Sequence, residues 1–200
     1  MVGEDGILFA KKGGVEMRIQ RQRAVYSLTM TAAFAAGMAV LAPWSVPLGP
    51  VPLSLCTLMI YLAAWLLPPA RALAAVAVYV LLGAAGLPVF AGFLGGVSRL
   101  AGPTGGFLLG YLPMSAICAL FVAHFRARRW MPLLGMVLGT AVLYAVGTVW
   151  LCLQTGVRPG EAIVVCVLPF LPGDCLKMAA AWLLGPMLRR RLERTGLLER

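Results

Sequence analysis

Pro169-Phe170-Leu171-Pro172-Gly173-Asp174-Cys175-Leu176-Lys177 lies inside the last long apolar stretch of the chain and carries two opposite charges three residues apart. Nearly every other charge falls between apolar segments or in the tails. A charged side chain at bilayer depth costs about 2.5–3.5 kcal/mol on insertion scales. Two neighbouring ones therefore need a reason. Residues i and i+3 share one helix face, so Asp174 and Lys177 reach the same cavity. One reading is a structural ion pair. The other is a polar-solute site, because ionisable groups inside a membrane mark solute pathways. The same stretch bears on the backbone. Proline removes a donor and clashes with the preceding turn. Pro169 and Pro172-Gly173 thus predict a last regular helix starting near Asp174, with Asp174 at its N-cap. The alternative is one long kinked helix. Irregular backbone at membrane depth is tolerated where it is buried in protein or lines a cavity.

The rest of the chain supplies the membrane. Of its 200 residues, 61% are hydrophobic and only 12% charged, against about a quarter charged in soluble domains. A span needs about 20 mainly apolar residues. Six segments qualify, near 24–43, 53–69, 71–88, 106–125, 132–153 and within 162–188. The fold class expected is all-α, an integral membrane bundle of six transmembrane helices. Lysine and arginine set its orientation. Fourteen of the cations lie in the N-terminal tail, at Arg71, at Arg126–Arg129 and in the C-terminal tail, against Arg99 and Arg158 on the other side. Both termini are thereby expected to be cytoplasmic. Residues 1–23 read as a polar cytoplasmic tail, disordered over 1–16, with Met17 a candidate start. They lack the apolar core of a signal peptide. Residues 24–190 read as one membrane domain and 191–200 as a basic cytoplasmic tail.

Two connections on the predicted outer side are unusual. Trp44–Pro52 holds three prolines and no charge, which makes it stiff. Leu87–Gly105 is glycine-rich and carries Arg99; glycine lets backbone approach a ligand closely. Both face the start of the last helix.

Several chemistries are excluded or disfavoured. The net charge of +10 is spread around apolar segments, which suits anionic lipid headgroups and offers no basic face to nucleic acid. No phosphate loop, G-x-S-x-G or H-E-x-x-H occurs. The one histidine, His124, falls on the side opposite Asp174, so an enzyme is not expected. The five cysteines lie in apolar segments without C-x-x-C spacing and read as buried hydrophobes, not as a metal site. What remains is a binder with few polar groups, suited to a small amphiphile. Lys177 and Arg99 are candidates to hold a carboxylate, and Asp174 to accept N–H donors. On the first helix, Ala32-x-x-x-Ala36 and Ala35-x-x-x-Ala39 provide the small-residue spacing that lets another helix approach.

Leu28-Thr29-Met30-Thr31-Ala32, Pro47–Leu53, Leu82–Phe90, Gly102-Pro103-Thr104-Gly105-Gly106 and Pro169–Lys177 together resemble the BioY family, the biotin-specific substrate-binding (S) components of energy-coupling-factor vitamin transporters. The resemblance runs through residues 24–190 in order. It implies a six-helix S-component fold, capture of biotin from outside, and no cofactor. It also implies a transmembrane T component and two cytoplasmic ABC ATPases as partners in a prokaryotic cell membrane. Asp174 is then expected to meet the ureido N–H groups and Lys177 a ligand oxygen. Arg99 is a further carboxylate candidate. Ala32 and Ala36 would dock the T component. The family leads one to expect an asparagine near the third helix, and this chain has none. An S component for another vitamin, or a self-sufficient secondary transporter, are the alternatives.

Overall fold

The computed structural model describes residues 4–47 and 51–194. Among these, eight helices and one hairpin follow in order: α1 Glu4–Leu41, β1 Ser45–Pro47, β2 Pro52–Ser54, α2 Cys56–Leu66, α3 Pro69–Ala84, α4 Val97–Ala101, α5 Gly105–Phe125, α6 Met131–Thr155, α7 Pro159–Cys166 and α8 Leu171–Arg194. Each of the six apolar segments contains helix. Their lengths differ from the expectation. Residues Ala24–Leu41 of α1, α5 and α6 are long and apolar enough to cross a membrane, and α7 with α8 qualifies as a fourth span bent by 53°. α2 has 11 residues and α3 has 16. At 1.5 Å per residue, α2 covers only about 16 Å of a hydrocarbon core about 30 Å thick. Pro68 and Pro69 cut the second apolar run short, since Pro69 opens α3 at its first turn.

Two further expectations are corrected. α1 begins at Glu4, so residues 4–16, expected to be disordered, continue the first helix. The stretch contains no proline, and Glu4, Leu8, Ala10, Lys11, Lys12 and Glu16 are good helix formers, set against the weak formers Gly6, Gly13 and Gly14. Residues 1–3 of that tail lie outside the described residues, as do 195–200 of the C-terminal tail. α8 starts at Leu171, not near Asp174: the Asp174 amide already bonds the Phe170 carbonyl at 2.9 Å. Pro172 falls in the first turn, where the missing donor costs nothing. The break between α7 and α8 therefore sits at 167–170, one turn earlier than the cap assignment placed it.

α5 packs along α6 more extensively than any other pair of elements. Glycines permit it. A Cβ at Gly106 of α5 would collide with Trp150, and one at Gly147 of α6 with Phe107. Gly139 approaches the Met114 carbonyl and the Cys118 sulfur so closely that a Cβ would stand 3.0 and 2.8 Å from them. Such small-residue notches bring backbones together where lipid tails give no hydrophobic drive between helices.

α2 runs through the middle of the molecule, with Ile60, Tyr61, Ala63 and Ala64 fully or almost fully buried. Its first turn faces the hairpin, and its last turn lies beside the far end of α8, where Arg189 donates to the Trp65 carbonyl at 2.7 Å. The three-proline connection forms the β1–β2 hairpin, paired from Ser45 with Ser54 to Pro47 with Pro52; its residues 48–50 are outside the described set. Trp44 meets Phe93 edge-on at 5.6 Å, and Gly92 donates to the Pro43 carbonyl at 3.1 Å. The first and third connections thus meet each other.

Candidate functional site: a polar knot in an apolar cavity

α8 places Asp174 in its first turn and Lys177 one turn on, on the same face. Both are buried, at 4% and 8% exposure. The Lys177 Nζ uses all three of its donors: to Asp174 Oδ1 at 2.9 Å, to the Ser54 carbonyl at 2.7 Å and to Thr57 Oγ1 at 3.2 Å. Thr57 passes the chain on, donating to Asp174 Oδ1 at 3.4 Å. Tyr144 of α6 donates its phenol O–H to the other oxygen, Asp174 Oδ2. The knot therefore ties β2, α2, α6 and α8 together around one ion pair.

Local structure aims these groups. The Ser54 hydroxyl accepts from the Cys56 amide at 3.1 Å, which fixes the turn from β2 into α2 and directs the Ser54 carbonyl toward Lys177. Thr57 and Tyr61 stack at i and i+4 on α2, as do Tyr144 and Thr140 on α6. Tyr61 and Thr140 meet at 2.5 Å, and Thr140 donates to the Met136 carbonyl, so Tyr61 is the donor between them. This second bridge braces the helices one turn below the ion pair.

A cavity of about 40 Å³ opens beside the knot, walled by Leu53, Phe107, Tyr111, Tyr144 and Phe170 as well as Asp174 and Lys177. Ligand pockets usually measure about 300–1,000 Å³, so an occupant must displace part of this wall. The chemistry on offer is a carboxylate acceptor, an ammonium donor and two hydroxyls in an apolar, aromatic frame. That set recognises a small molecule with both donors and acceptors on an apolar body. His124 bonds the Leu120 carbonyl at the opposite end of α5. Among the described residues no group of three His, Cys, Asp or Glu comes together as a metal site.

The structure brings Asp174 and Lys177 together as the sequence predicts. Arg99 does not line the cavity: it sits exposed on the short helix α4. Ala32 and Ala36 are exposed on α1, whereas Ala35 is buried at 2%. The two overlapping alanine ridges thus part, one facing outward and one into the bundle. Sequence reasoning missed Thr57 and Tyr144. The available signal was a hydroxyl inside each of two apolar segments, with nothing in either segment to point to the other.

A family profile described as the BioY family matches residues 15–194. This chain belongs to the BioY family. Similar BioY proteins include "Biotin transporter BioY2" of Lactococcus lactis subsp. cremoris, 34% identical, with 86% of this chain and 94% of the relative covered. "Probable biotin transporter BioY" of Pyrococcus horikoshii is 36% identical over 81% and 95%. "Biotin transporter BioY" of Thermotoga maritima is 39% identical over 76% and 89%. The fold is similar to the crystal structure of the S-component for biotin from an ECF-type ABC transporter, with a TM-score of 0.78 and 28% identity over 84% of this chain and 92% of that one. A multi-pass helical membrane protein of the S-component class accounts for the BioY bundle described above.

Proposed function

We propose that this chain is the biotin-binding S component of an energy-coupling-factor transporter. It captures biotin from outside, and partner subunits import it with ATP. The observation that carries the reading is the buried Asp174–Lys177 knot in an apolar, aromatic cavity, in a BioY chain whose relatives are named biotin transporters. Biotin offers two ureido N–H donors, a carbonyl, an apolar ring and a carboxylate. Asp174 accepts from the ureido N–H groups in place of Thr57 and Tyr144. Lys177 donates to a ligand oxygen in place of the Ser54 carbonyl. Arg99 remains a candidate for the carboxylate from outside the cavity.

The chain itself binds, and does not hydrolyse a nucleotide. ATP-driven uptake then rests on a T component and two cytoplasmic ABC ATPases, with Ala32 and Ala36 as the docking ridge. Fourteen cations against two support cytoplasmic termini in a prokaryotic cell membrane. Calorimetry on the detergent-purified chain tests the substrate: one-to-one biotin binding is expected. A thermal shift with thiamine or riboflavin and none with biotin would assign another vitamin. Uptake in vesicles lacking any ATPase would favour a self-sufficient transporter.

A further inference from the structure

At the end of the bundle opposite the polar knot, the turn after α5 and the last turns of α8 line a half-open cavity of about 910 Å³. Four arginines line it, Arg126, Arg129, Arg189 and Arg190, against one carboxylate, Glu193. Glu193 is already engaged, at 2.9 Å from Arg189 and 3.9 Å from Arg126. Among the described residues no carboxylate pairs with Arg129 or Arg190. The Trp65 indole N–H also belongs to this wall; Trp65 is 5% exposed and its N–H has no hydrogen-bond partner. The cavity thus holds surplus positive charge and an orphaned donor, which an anion with several acceptor oxygens would satisfy together.

What kind of anion is set by the neighbouring surface. Trp130 and Trp182 stack at 5.4 Å, and the Arg129 guanidinium lies 5.5 Å from the Trp182 ring centre. Arg129 and Trp130 also border an apolar groove of about 710 Å³ along α6, lined by Met131, Leu133, Leu134 and Val137. One arginine therefore joins a basic cavity to an apolar groove at a pair of tryptophans, the residue type enriched where headgroups meet acyl chains. We propose that this end is a specific site for an anionic phospholipid, its phosphate held by Arg126, Arg129 and Arg190 and an acyl chain laid along Leu134 and Val137. Basic pockets at the cytoplasmic ends of helices recognise such headgroups. A free anion would use the arginines and leave the groove uncovered.

Native mass spectrometry of the full chain, with phosphatidylglycerol and phosphatidylcholine supplied equally, tests the site. Retention of phosphatidylglycerol is expected to exceed that of phosphatidylcholine roughly fivefold or more. The Arg126→Gln, Arg129→Gln, Arg190→Gln triple variant should bring the two lipids level, while Arg158→Gln at the other end preserves the preference. Arg129→Gln alone, at an exposed position, serves the same comparison if the triple variant does not fold. Equal retention by the wild type, or an unchanged preference in the variants, would overturn the proposal. So would a thermal shift as large from inorganic phosphate as from phosphatidylglycerol, which would assign the cavity to a free anion.

Discussion

Lys177 spends its three donors on three different elements, so a change at this one ammonium is felt across the bundle. Breaking a buried pair by removing one partner costs about 3–5 kcal/mol, because the other charge is left uncompensated. Asp174→Asn and Lys177→Ala are therefore expected to weaken biotin binding strongly, with part of the loss appearing as lower thermal stability. Binding must be measured on the folded fraction; wild-type affinity in both variants would make the pair structural. Tyr144→Phe is the gentler case. It keeps the ring in the wall and removes one hydrogen bond to a carboxylate, worth about 1.5–3 kcal/mol. Titration should show a smaller loss than either charge variant, and a larger one would give Tyr144 a ligand contact of its own. Asp174 and Lys177 were legible in the sequence because charge in an apolar run is conspicuous. Thr57 and Tyr144 were not. A hydroxyl in a membrane helix is cheap and common, and these partners lie 117 and 30 residues from Asp174.

Elements were read well where hydrophobic length marks them and poorly where local punctuation does. The six helical segments stand out as apolar runs. The true start of α8 does not, because Pro172 is compatible both with a break and with a first turn. Nor is the shortness of α2 visible in hydropathy alone, since the apolar run 53–69 begins in the end of a strand and passes into the helix only at Cys56. The glycines of α5 and α6 carry the clearest consequence at this level. Gly139→Leu would force a side chain against the Met114 carbonyl and the Cys118 sulfur. Overpacking of this kind costs about 1–3 kcal/mol and moves backbone. Tyr144 lies one turn and a half along the same helix, so biotin affinity should fall together with melting temperature. A melting temperature unchanged from wild type would show that the helix pair gives way without strain.

Across the whole molecule, the proposed capture site and the proposed docking ridge occupy different surfaces. Ala32 and Ala36 face outward on α1, and neither borders the cavity. Ala32→Trp or Ala36→Trp is expected to leave biotin binding intact and to abolish ATP-driven uptake with the T component and ATPases. A tryptophan on the ridge would hold facing helices apart. Equilibrium binding paired with vesicle uptake checks this, and loss of binding in either variant would tie α1 to the pocket instead. The knot has a further consequence for how a vitamin finds its carrier. Asp174 and Lys177 cancel in charge and lie out of water, so they project almost no field into the medium. Encounter should then be ordinary diffusion, without electrostatic steering, and the association rate should vary by no more than about twofold over a tenfold range of ionic strength. A steep decline with salt would place exposed Arg99 on the approach path, drawing the carboxylate in from a distance.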